Sequence, residues 1–95
     1  MTAAERLAAL KIDLGIVTTA YDSRLTAYLQ TAVQEMAREG ATDDGSVAYD
    51  TWVITYAAWL WRRRDTGEGM PRMLRYALNN LIFDQFVEGG GGANG

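Results

Sequence analysis

The chain has 95 residues and a formal charge of −3, from nine basic and twelve acidic side chains, with 48% hydrophobic residues and neither cysteine nor histidine. That length suits one domain with a modest core, and the hydrophobic share is that of a globular protein. The missing residue types exclude disulfides, thiolate nucleophiles, Cys/His zinc sites and the commonest general base, while the acidic balance disfavours duplex DNA binding as the main activity.

The N-terminal "MTAAERLAALKIDLG" has neither the basic start nor the long apolar run of a signal peptide. The first helix is expected from about Ala3 to Asp13. Thr2 and Glu5 form a capping-box pattern in which hydroxyl and carboxylate each satisfy an orphan backbone N–H. Leu7, Leu10 and Leu14 supply an apolar stripe, and Gly15 can end the helix. "GIVTTAYD" has no helical period and reads as a connector.

The second helix is expected over Asp22–Glu39. Leu25, Tyr28, Leu29, Ala32, Val33 and Met36 recur at helical spacing on one face, opposite Arg24, Gln30, Thr31, Gln34 and Arg38. Gly40 stops it, and "GATDDGS" reads as a turn. The spacing of Asp43, Asp44 and Asp50 fails the calcium-loop pattern, which leaves turn and cap roles for them. Glu35 and Glu39 read as solvated charges.

The third helix, about Val47 to Arg64, is apolar nearly all round. Tyr49, Val53, Tyr56 and Leu60 make a central stripe, flanked by Trp52 and Trp59 on one side and Ile54, Ala57 and Trp61 on the other. Only Thr51, Thr55, Ala58 and Arg62 form a narrow line that can face water. Such a helix needs cover on several sides, so it is expected at the centre of the fold, with another subunit as the alternative source of cover. Its apolar stretch, Thr51–Trp61, is well short of the roughly 20 residues of a membrane span. Arg62, Arg63 and Arg64 close the helix, where cations complement the peptide dipole; they are also a candidate electrostatic contact for an acidic partner or a phosphate backbone. "TGEGMP" lacks the G-K-[S/T] ending of a phosphate loop and reads as a turn.

The last helix starts near Pro71. Leu74, Ala77, Leu78 and Leu81 lie on one face, with Tyr76, Phe83 and Phe86 largely on the other. Trp and Tyr are favoured interface anchors, so Trp52, Trp59, Trp61, Tyr76, Phe83 and Phe86 are candidate subunit-interface residues. "GGGGANG", residues 89–95, cannot repay its ordering entropy and is expected to be a flexible tail. The expected organisation is all-α: a four-helix bundle-like domain over residues 1–88, then the tail. No catalytic residue, cofactor or metal ligand is assigned, and an enzyme is not expected.

The order of pieces resembles the head–tail connector (adaptor) family of tailed bacteriophages. The likeness runs through "LAALKIDLGI", "VTTAYDSRL", "LTAYLQTAVQEMAREG", "ATDDGS", "YDTWVITYAAWLWRRRDTGEG" and "MPRMLRYALNNLIFDQ", roughly residues 5 to 86. Its pattern is a loose L-K-x-x-L-G-I followed by D-x-x-L-x-x-x-L-x-x-A. The resemblance implies a structural subunit of the virion neck, made in the host cytoplasm. It would assemble into a ring of about a dozen copies beneath the portal protein and extend the DNA channel toward a stopper or tail-completion protein. DNA would pass without sequence-specific binding, helped by an acidic lumen, and no membrane would be involved. The residues alone leave a second reading open: a small helical regulator that binds nucleic acid or protein as a dimer, with the arginine cluster as its contact.

Overall fold

A computed structural model describes residues 1–63 and 69–87, so Arg64 and the residue 89–95 tail lie outside the described residues. Four helices follow in order: α1 (Ala3–Leu14), α2 (Asp22–Glu39), α3 (Val47–Arg62) and α4 (Arg72–Gln85), with no strand among the described residues. The fold is all-α and bundle-like. Helix α3 lies at its centre and packs against each of the other three.

Local chemistry sets the helix ends. Thr2 Oγ1 accepts from Glu5 N at 3.1 Å, and Glu5 Oε1 accepts from Thr2 N at 2.7 Å, completing the capping box. The same backbone donor holds the Glu5 carboxyl below its ordinary range. Gly15, at φ 70°, closes α1 with its N–H on the Ile12 carbonyl, while Ile16 N–H reaches the Lys11 carbonyl. Gly40 does the same for α2 at φ 103°. Between these helices, the Lys11 ammonium meets Asp22 Oδ1 at 2.8 Å and ties the end of α1 to the start of α2.

The acidic turn prepares α3. Asp43 Oδ1 accepts from Gly45 N and Asp44 Oδ1 from Ser46 N, both at 3.0 Å, the local bonding that makes aspartate a turn residue. Ser46 then caps the helix, its Oγ accepting from Tyr49 N at 3.1 Å. Helix α3 ends at Arg62, short of the expected end at about Arg64, with Arg63 N–H on the Trp59 carbonyl. Pro71 stands one position ahead of α4, and its carbonyl accepts from Arg75 N at 3.0 Å to close the first turn.

Leu10, Leu25, Ala32, Met36, Val53, Ala57 and Leu78 are fully sealed in one continuous core. At about 1.5–3 kcal/mol for each large aliphatic side chain, their burial drives the packing. Helix α4 adds Leu74, Leu78 and Leu81 to that core. It is also clasped at both ends: Arg75 Nη1 meets Glu39 Oε1 at 3.0 Å, and Gln85 both donates to Thr42 O (2.7 Å) and accepts from Thr42 N (3.1 Å).

Three sequence expectations change. Ala58 sits in the core rather than on the polar line of α3, because α3 is covered from more sides than that line allows. Glu35 is only 9% exposed and pairs with Arg38 one turn on; Glu39 is half-buried against Arg75, so neither is a freely solvated charge. Asp50 is neither a turn nor a cap residue: it is buried one turn into α3, where Arg6 reaches it.

Candidate functional site

The six aromatic candidates separate into two groups. Trp52 is 3% exposed, and its indole Nε1 donates to the Leu74 carbonyl at 2.9 Å, so it is committed to holding α4 on α3 within the chain. Its ring stacks on Tyr56, centroids 4.8 Å apart, and Tyr56 in turn lies 5.5 Å from Trp59. Trp61 meets Tyr21 edge-on at 5.2 Å. Trp59 and Trp61 are half-buried and pack against the core. The apolar surplus of α3 is thus mostly absorbed by its own chain.

The surplus of α4 is not. Tyr76, Phe83 and Phe86 are 57%, 64% and 67% exposed, and Met73 is 79% exposed. Met73, Tyr76 and Phe83 stand at i, i+3 and i+10 and so share one helix face, turned away from Leu74, Leu78 and Leu81. Phe86 and the partly exposed Val87 continue it just beyond the helix end. Scattered apolar residues on a surface need no explanation, whereas several large ones gathered on and just beyond one helix face make it a candidate interaction surface.

Two grooves flank the bundle, each of about 470 Å³. One lies between α1 and α2, with Leu29 and Val33 on its apolar side and Thr26 and Gln30 on its polar side. The other runs between α3 and α4, with Thr51 and Thr55 facing Ala77 and Asn80 across Trp52 and Leu81.

A polar cluster links α1 to α3 from inside. The Arg6 Nε donates to Asp50 Oδ1 at 2.9 Å, Arg6 Nη2 to Asp43 Oδ2 at 2.7 Å, and the guanidinium lies 5.4 Å from the centre of the Tyr49 ring. The terminal ammonium of Met1 takes the other Asp50 oxygen at 3.1 Å. Burial works against the Arg6 charge, but its bonds to Asp43 and Asp50 outweigh it and hold its affinity for the proton above the ordinary value. The Arg6 hydrogen bond, with help from Gly45 N–H, keeps the Asp43 carboxyl below the usual carboxylate range. Burial pushes the Tyr49 phenol up. With its donors and acceptors matched, the cluster braces the helices rather than presenting a reactive group. Sequence reasoning missed it, because an arginine in the first turns of a surface-like helix gives no sign of carboxylates 37 and 44 residues away.

Of the arginine cluster, Arg62 and Arg63 are exposed at the C-terminal end of α3, and Arg64 lies outside the described residues. None of the described helices is long and apolar enough to cross a membrane. Comparison with protein-family models, curated proteins and solved structures finds no match.

Proposed function

We propose that this protein is a structural assembly subunit, and that its place is the neck of a tailed bacteriophage, as a head–tail connector that forms a ring beneath the portal. The carrying observation is the exposed aromatic face of α4, where Tyr76, Phe83 and Phe86 each keep more than half of their surface in water. The helix order and quoted segments of the connector resemblance support the particular role, and the net charge of −3 suits a conduit through which DNA must slide without sticking. In this reading the protein works by assembling and enclosing, not by catalysis. Its partners are further copies of itself, the portal, and a stopper or tail-completion protein.

Native mass spectrometry and negative-stain imaging test this, with the purified protein alone and mixed with portal from its own virus. Closed rings, free or on the portal, are the expected result. A monomer at every concentration, indifferent to the portal, overturns it. A second reading, a dimeric regulator of nucleic acid, is favoured by the exposed Arg62 and Arg63; it requires DNA binding that falls steeply with salt.

A further inference from the structure

The exposed face of α4 is large enough for a standard interface. Aromatic side chains carry about 150–250 Å² each, so Tyr76, Phe83 and Phe86 at their observed exposures leave roughly 280–470 Å² of ring surface uncovered. Met73 and Val87 add to it. A specific interface buries about 800 Å² per partner, a little over half of it apolar, or roughly 450 Å². The face therefore matches the apolar share of one complete contact.

The groove between α1 and α2 is the receptor that the same molecule offers. It has the opposite relief, a concavity lined by Ala3, Val33 and the nearly sealed Leu29 together with Arg6, and with Gln30 and Thr26 able to bond a Tyr76 hydroxyl at its margin. It also lies on the opposite flank. Glu39 marks the side of α2 that meets α4 through Arg75. Val33 and Gln30 stand six and nine residues before Glu39, which at 3.6 residues per turn puts them about 120° and 180° round the helix. Knob and groove on opposite flanks cannot satisfy each other in a two-fold pair. They satisfy each other head to tail, the arrangement that gives a ring where the rotation between copies closes and an open filament where it does not.

We infer that the aromatic face of α4 in one copy docks into the α1–α2 groove of the next copy. This rests on the assembly reading above and names its contact. The groove between α3 and α4 borders the knob itself, on the same side of the molecule, and would favour a two-fold α4–α4 pair instead.

The chain has no native cysteine, so engineered thiols report cleanly. Gln30→Cys, in the exposed margin of the groove, and Phe83→Cys, on the knob, are treated with a short bis-maleimide at concentrations where the unmodified chain self-associates. Expected: the two variants crosslink to each other when mixed, neither crosslinks alone, and the double variant gives a ladder of multiples. Phe83→Ser should weaken association at least about tenfold, with the helix signal unchanged. Crosslinking of Phe83→Cys to itself overturns the head-to-tail pairing in favour of a two-fold contact. An absent mixed crosslink in a protein that still forms rings overturns the pairing but spares the assembly reading. A chain that is monomeric throughout, with or without portal, sinks both.

Discussion

Arg6 and Asp50, 44 residues apart in the chain, meet at 2.9 Å inside the protein, and this contact fixes α1 against α3. Both side chains are nearly sealed from water, so removing either leaves a buried charge on the other with one partner fewer. Removing one partner of a buried pair costs about 3–5 kcal/mol, whereas replacing both by apolar groups costs much less. Arg6→Met should therefore destabilise the fold by about that amount in urea titration. Arg6→Met/Asp50→Leu should recover a good part of it; a double variant no better than the single would show that the pair is not coupled.

Asp43 should confer a pH-dependent share of stability. Its folded-state carboxyl is held below the usual range by Arg6, so the unfolded chain binds the proton more readily in acid. The contribution is complete above the unfolded pKa of about 3.9 and fades as pH falls through the lower folded value. Because Asp43 is largely exposed, we expect Asp43→Asn to cost no more than about 1 kcal/mol at pH 7. The gap to wild type should narrow below about pH 4. A gap that widens in acid would contradict the assignment.

Trp52 should be the main attachment of α4. Trp52→Phe keeps most of the ring but loses the bond to the Leu74 carbonyl, for an expected cost of about 1–2 kcal/mol. Trp52→Ala should cost about 3–5 kcal/mol. In the alanine variant, amide hydrogen exchange should speed up in α4 before it does in α2. Uniform acceleration across the chain would argue against a local attachment.

Ser46 tests a local rule, since its side chain satisfies Tyr49 N and also stands against the Asp44 carboxyl, which it helps hold below the ordinary range. Ser46→Ala should cost about 1 kcal/mol, seen as a fall in Tm of about 4–8 °C for a domain of this size. No shift would mean that another acceptor takes up that N–H.

Much of the architecture is legible from residue spacing. The stripe from Leu25 to Met36, the Thr2–Glu5 pair and the stops at Gly15 and Gly40 each depend on neighbours within a turn or two, and all appear where spacing puts them. What spacing does not carry is the long-range partner. Nothing near Arg6 announces Asp50, and nothing near Glu35 announces that its flank of α2 is covered. The same limit applies to the aromatics. A helical wheel counts the greasy residues on α3 and α4 but not the elements arriving to cover them. Trp52 is swallowed by α4 and Trp61 is met by Tyr21, while Phe83 is left outside. Substitutions at Trp59 or Trp61 would therefore disturb the core as well as any contact, and Tyr76 and Phe83 are the better probes.

The Gln85 amide grips both the N–H and the carbonyl of Thr42, one residue after Ala41 seals the end of the core. Opposite it, Arg75 holds Glu39. Two clasps on the inward side fix the azimuth of a helix that has grease on both sides and could otherwise roll about its own axis. Without Gln85, the C-terminal half of α4 would lose its hold on Thr42 while the Trp52 bond and the buried leucines still anchored the rest, so Phe83 and Phe86 would gain freedom to swing, a change visible as altered ring contacts in NMR with helix content intact. The carboxamide thus steadies the end of the helix from which the two phenylalanines are presented.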